Sequence, residues 1–214
     1  VLADQVGLGK TVQLAMAAML MALDDPEGGP ILVLAPKPLL QQWQDELMEL
    51  LSLPSARWNG KAWVDENDLE YPSDGAKSLG KCPRRIGLVS QGLVVRGLSE
   101  AVGQLLSRRY TCVIVDEAHR ARRRKVPKVD ADADEVNERA EPNKLMAFLR
   151  EIGPKTKSML LATATPVQLH PVEAWDLLHI LSQGNDGVLG GWTHSSPWFQ
   201  ASRCLDIATG DAEV

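Results

Sequence analysis

Two glycines, a lysine and a threonine at Gly7, Gly9, Lys10 and Thr11 close the run Asp-Gln-Val-Gly-Leu-Gly-Lys-Thr, Asp4 to Thr11. A glycine-rich turn that opens a helix can surround a phosphate chain with backbone N–H groups, because glycine permits the tight turn and the close approach. In such a turn Gly7, Leu8 and Gly9 line the phosphates, Lys10 contacts the outer ones, and the Thr11 hydroxyl ligates Mg²⁺. The strict GxxxxGK[ST] pattern fails at its first position, which is Asp4, so the surviving core is GxGKT. A second group stands about a hundred residues later, where the apolar run Cys112 to Val115 ends in Asp116 and Glu117. One carboxylate there can hold hydrated Mg²⁺ while its neighbour orients or deprotonates an attacking water. A third is the run Leu160 to Gln168, in which Thr163 and Thr165 follow an apolar segment and can hydrogen-bond an adjoining acidic strand end. Alone, each has a plainer reading: a glycine-rich turn with a solvated lysine, the polar close of a strand, a threonine-rich turn before a helix.

The elements that must position these groups follow from apolar periodicity. Continuous apolar runs at Val1 to Ala3, Ile31 to Ala35, Ile86 to Val89, Cys112 to Val115 and Met159 to Ala162 have strand length. Helical periodicity occupies Lys10 to Leu23, Leu39 to Leu51, Leu98 to Ser107, Lys144 to Ile152 and Val172 to Leu181. Short, fully apolar strands alternating with helices predict an open, doubly wound α/β domain with a mainly parallel sheet covered by helices on both faces. The phosphate turn, Ala35-Pro36, Ser90-Gln91, Asp116-Glu117 and Thr163 to Thr165 then all fall at the carboxyl ends of the predicted strands. That is the edge where open parallel sheets bind ligands.

Two stretches break this rhythm. Residues 54–84 carry scattered Pro, Gly and Asn and read as a long irregular connection with a short edge strand near Trp58 to Trp63. Residues 120–142 have a basic half followed by an acidic half and no apolar period, as expected of a mobile surface loop. Six basic residues between Arg120 and Lys128 can reach nucleic-acid phosphates, but the acidic half can also fold back on them. Trp43 and Trp175 fall on apolar helix faces and read as core.

With 214 residues, 44% hydrophobic, the chain suits one sizeable domain. Its net charge of −5 excludes a wholesale polycation, though not a local basic groove. No apolar run approaches the ~20 residues of a membrane helix, so no membrane partner is expected. Cys82, Cys112 and Cys204 are widely spaced and the four histidines are ungrouped, which points to cytoplasmic thiols without a zinc site. The first residue is valine, as in a piece of a longer protein.

Asp-x-x-GLGKT at Asp4 to Thr11, ILVLAPKPLLQQWQDEL at Ile31 to Leu47, VIVDEAH at Val113 to His119 and LLATATPVQLHPVEAWDLL at Leu160 to Leu178 together resemble motifs I, Ia, II and III of the Swi/Snf family of helicase-like ATPases. The look is closest to bacterial members, including the RNA-polymerase-associated recycling ATPase. The resemblance spans residues 1–182 and implies the first RecA-like P-loop lobe of a motor that uses ATP and Mg²⁺ to move along duplex DNA. Residues 183–214 then lead towards a second lobe of the same polypeptide. RNA polymerase or another protein complex is a further implied partner. Gly7 to Thr11 would hold the triphosphate, Asp116 the Mg²⁺ and Glu117 the water. Lys37, Pro38 and Gln91 would lie near the nucleic-acid backbone, His119 would couple the nucleotide site to motif III, and Gln168 matches the glutamine that follows that motif.

Gln5 departs from the usual glutamate without removing a phosphate ligand, and motifs IV to VI are not in this sequence. Loss of an arginine finger costs about 10³- to 10⁵-fold in related NTPases, so these residues alone are expected to turn over ATP negligibly. Two rival functions are an RNA-directed helicase lobe and a nucleotide-binding scaffold without turnover. Motif Ia argues against the first, and intact Lys10, Thr11, Asp116 and Glu117 argue against the second.

Overall fold

The computed structural model describes residues 9–97, 99–125, 141–185, 187–189 and 196–211. The expected strand at Val1 to Ala3 and most of the 120–142 segment, residues 126–140, lie outside them.

Helix α1 runs from Lys10 to Leu23 and leads into strand β1, Ile31–Ala35, with the bounds that periodicity predicts. Helix α2, Leu40–Leu51, buries Leu40, Trp43, Gln44 and Leu47, one stripe at helical spacing. Strands β2 (Ser55–Trp58) and β3 (Trp63–Asp65) precede β4, Ile86–Ser90. Short helices α3 (Gln91–Arg96) and α4 (Ser99–Leu106) lead to β5, Tyr110–Val115. The rest is α5 (Lys144–Ile152), β6 (Thr156–Leu161), α6 (Val172–Ser182) and α7 (Ala201–Thr209). Side-chain caps start two of these helices: Ser90 accepts the Gly92 N–H and Asn143 accepts the Met146 N–H.

Among the described residues the strands form one sheet in the order β3-β2-β4-β1-β5-β6. Every pairing is parallel except β2 with β3. Alternate residues of β1 and β5 enter opposite cores, as the two-residue period of a strand requires. Ile31, Val33, Ala35, Cys112 and Ile114 pack with α1 and α2, whereas Leu32, Leu34, Val113 and Val115 pack with α4, α5 and α6. Both faces are therefore covered, in agreement with the predicted mainly parallel α/β sheet. None of the described helices is long and apolar enough to cross a membrane.

Two expectations need correction, and one helix was not predicted. Trp58 and Trp63 do not share one edge strand; they end β2 and begin β3, packing edge to face at 5.4 Å across a turn held by the Asn59 side chain. The 54–84 connection is consequently part of the sheet, and the buried Gln44 amide ties α2 to it through the Ser55 and Val64 carbonyls. The basic segment after Asp116-Glu117 is not wholly a solvated surface: Arg123 is 5% exposed and pairs with Asp176. Part of the stretch after Gln183, which carries no periodic signal, forms α7, and α7 docks on α6 through Ala201 and Leu205 against Val172 and Trp175.

Candidate active site

Asp116 directly follows β5, and its main chain and side chain are both fastened. Its N–H donates to the Leu34 carbonyl at 2.9 Å, and its own carbonyl accepts the Gln91 side-chain amide. The Trp43 indole N–H donates to Oδ2 at 3.1 Å, and the Glu117 N–H donates to Oδ1 at 2.9 Å. Both carboxylate donors are uncharged. Each carboxylate oxygen carries a second lone pair, so the group retains acceptor capacity for a ligand outside the chain.

Glu117 has φ 49° and ψ 47°, a left-handed conformation that a non-glycine residue adopts at a cost of about 1–3 kcal/mol. The turn sets its carboxylate 3.2 Å from His119 Nδ1. That same nitrogen lies 3.0 Å from the Thr163 hydroxyl, which also accepts the Thr165 N–H at 3.0 Å. The Thr165 hydroxyl accepts the Gln168 side-chain amide at 3.2 Å. Backbone bonds from Ala118 to Ala162 and from Ala162 to Val115 hold the ends of β5 and β6 together beneath this chain. Glu117, His119, Thr163, Thr165 and Gln168 are thus one connected polar series beside Asp116.

Sequence reasoning missed a second layer behind it. Glu173, in the first turn of α6, accepts the N–H groups of Gln168, Leu169 and His170 on Oε2 and the Arg122 guanidinium on Oε1. Burial acts to raise its carboxyl, but those backbone donors and Arg122 together hold it below the usual range. Asp176, one helical turn on, receives Arg123 Nε and Nη2 at 3.0 and 2.9 Å. These contacts lock the segment after Glu117 to the helix after Thr165. The available signal was a carboxylate just inside a helix that opens at Pro171.

The phosphate side is reached through α1. At its far end Asp25 accepts the Thr111 hydroxyl, and Thr111 lies near the amino end of β5. Helix α1, about 21 Å long, packs on β1 and β5 through Leu14, Ala15 and Ala18, with Lys10 and Thr11 at the end opposite Asp25. Gly9 precedes it with φ +70°, a conformation that glycine adopts without strain. Gly7 and Leu8 lie outside the described residues. The hard oxygens of Asp116 and Thr11 suit a partly hydrated Mg²⁺, which uses few protein ligands.

Of the residues expected near nucleic acid, Lys37 and Pro38 are exposed on the turn that leads into α2. Lys37 shares a cleft of about 110 Å³ with Trp58, Asn59, Ser90 and Arg96. Gln91 is different: it is 1% exposed and its amide is engaged on Asp116, so it supports the strand end rather than offering itself to a phosphate backbone.

A family model for the SNF2-related domain matches residues 1–204, past the boundary at 182 expected from the motifs. Among curated relatives, the ISWI chromatin-remodeling complex ATPase ISW1 of Saccharomyces cerevisiae is 29% identical over 184 residues, covering 85% of this chain and 14% of that protein. The uncharacterized ATP-dependent helicase YqhH of Bacillus subtilis is 30% identical over 207 residues, covering 95% of this chain and 29% of that protein. The chain therefore spans less than a third of either relative. Among solved structures, the Sulfolobus solfataricus SWI2/SNF2 ATPase core in complex with dsDNA superposes with a TM-score of 0.59 at 22% identity, over 99% of this chain and 36% of that one. The Pyrococcus furiosus Hef helicase domain gives 0.57 at 20% identity, over 85% and 32%. These two likenesses establish the fold; the match of the family model to nearly the whole sequence establishes that the chain belongs to the SNF2-related domain family.

Proposed function

We propose that this chain is the ATP-binding lobe of a DNA-dependent ATPase that moves along duplex DNA when joined to a second RecA-like lobe. The observation that carries this reading is the fastening of Asp116 by uncharged donors at the sheet edge, next to the Glu117–His119–Thr163 series. Thr11 and Asp116 would hold Mg²⁺, which when bound offsets negative charge on the phosphates. Lys10 binds the outer phosphates, and Glu117 orients the attacking water and accepts its proton. His119 and Thr163 join that carboxylate to Thr165 and Gln168, so that occupancy of the nucleotide site is felt at the surface beyond β6.

Residues 1–182 supply the motor motifs in this reading, and residues 183–214 lead on towards the second lobe. Lys37, Pro38 and neighbouring Arg96 face the nucleic-acid backbone. Relatives named as a remodelling ATPase and an ATP-dependent helicase support the use of ATP, and three free thiols fit a cytoplasmic setting. RNA polymerase or another protein complex is a partner that the bacterial likeness suggests. The test is ATP hydrolysis by the full-length protein with duplex DNA, single-stranded DNA or RNA. Stimulation by duplex DNA, lost in Lys10→Ala, is the expected result; stimulation by RNA alone assigns the lobe to an RNA helicase, and binding without turnover makes it a scaffold.

A further inference from the structure

Trp43 was expected to be core, and it is: 2% exposed, it packs in the cluster that joins Leu14, Ala15 and Ala18 of α1 to Val33 and Ile114 of the sheet. A buried indole N–H needs an acceptor. Many carbonyls lie nearer in sequence, yet the acceptor is Oδ2 of Asp116, 73 positions on, at 3.1 Å. The other carboxylate oxygen is occupied by the Glu117 N–H of the same turn. A carboxylate gripped by one donor can still rotate about Cβ–Cγ, whereas one gripped at both oxygens has its plane defined and its remaining lone pairs aimed.

We infer that Trp43 is a positioning residue whose indole N–H orients the Asp116 carboxylate for the divalent cation that enters with the nucleotide. This rests on the assignment of Asp116 to the cation given above. The ring is buried among close-packed side chains, which hold the N–H in place more firmly than a flexible side chain would. The indole also stands between α1, which brings Lys10 and Thr11, and β5, which brings Asp116. It sits four residues after the Lys37–Leu39 turn, so any displacement of that turn moves the donor together with α2. Outer hydrogen bonds of this kind typically change metal affinity by about 10- to 100-fold when removed.

The test replaces only the N–H. In the full-length protein, β-(3-benzothienyl)alanine at position 43 keeps the ring shape with sulfur in place of nitrogen, and 7-azatryptophan keeps the donor. Mn²⁺ affinity is read by electron paramagnetic resonance on the complex with a non-hydrolysable ATP analogue, alongside analogue binding in EDTA and the melting temperature. Mn²⁺ affinity should fall about 10-fold or more with the sulfur analogue and return with the aza analogue, while metal-free nucleotide binding stays at the native value. Unchanged Mn²⁺ affinity in the sulfur variant, whatever its melting temperature, assigns Trp43 to packing alone and overturns the inference. Asp116→Ala separates the two levels: if it leaves Mn²⁺ affinity intact, the assignment of the carboxylate itself falls.

Discussion

Asp25 and Asp116 lie at opposite edges of the sheet and are equally hidden, each 9% exposed, yet their surroundings differ in kind. Asp25 is consumed internally: Lys157 Nζ, the Thr111 hydroxyl and the N–H groups of Glu27 and Gly29 all donate to it. Lys157 first, and Thr111 next, hold its carboxyl far below the usual range. Gly29 permits this closure, since a Cβ there would stand 2.6 Å from the Thr111 oxygen. Asp116 is held just as firmly, but by the uncharged N–H groups of Trp43 and Glu117. A carboxylate already matched with a lysine can hold a fold together; one oriented by neutral donors has no cation of the chain paired with it in these contacts. Burial alone does not distinguish the acid paired within the fold from the one proposed to hold the cation, whereas the charge of the donors does.

The largest effect that tests this contrast is catalytic. Glu117→Gln and Asp116→Asn in the full-length protein should each lower ATP turnover by about 10²- to 10⁴-fold, the scale of a general base or a lost ligand, with little change in melting temperature. Steady-state ATPase assays check it, and near-native turnover in either variant breaks the contrast. Asp176→Ala should behave in the opposite manner. Its partner Arg123 is 5% exposed and would lose the carboxylate that receives its Nε and Nη2, and breaking such a buried pair costs about 3–5 kcal/mol in urea unfolding.

The Asp25 end sharpens the comparison through pH. Its folded-state carboxyl titrates below the unfolded value of about 4, so its stabilisation is fully present above that pH and is lost as pH falls through the folded value. Urea midpoints measured from pH 7 to 3 should fall less steeply for Asp25→Asn than for the native chain. Glu173 and Asp65, which are also held below the usual range, keep some slope in both proteins. An identical slope would mean that the Lys157 contact contributes nothing in solution. The smallest effect is expected at Thr163→Val, which removes the hydroxyl between His119 and the Thr165 N–H. Loss of about 1 kcal/mol, the worth of one neutral hydrogen bond, corresponds to roughly 5-fold in DNA-stimulated turnover.

Much of the framework was legible because its strands are continuous apolar runs. Ile31–Ala35 has the predicted bounds, and β4, β5 and β6 differ from expectation only by residues at their ends. A strand covered on both faces leaves that pattern whatever its neighbours do. The β2–β3 hairpin was not legible, since Ser55-Ala56-Arg57-Trp58 is short and mixed, and the Asn59-Gly60 turn signal was absorbed into a supposed strand. Helix α7 was missed for a related reason: its buried face is a few small residues, Ala201, Ser202 and Cys204, rather than an apolar stripe.

Residue types and their order along the chain were set by the amino acids themselves: a Gly-Leu-Gly-Lys-Thr run, then an Asp-Glu pair, then a Thr-Ala-Thr run, each after an apolar stretch. Those properties depend on residue type and on spacing within a few turns, and a linear string records both. Tertiary structure alone decided which donors reach Asp116, that Gln91 turns inward, and that Arg122 and Arg123 are spent on Glu173 and Asp176. Such partners are brought together by sheet order and helix packing across dozens of residues, and a hydrogen bond depends on ångström distances that no spacing rule encodes.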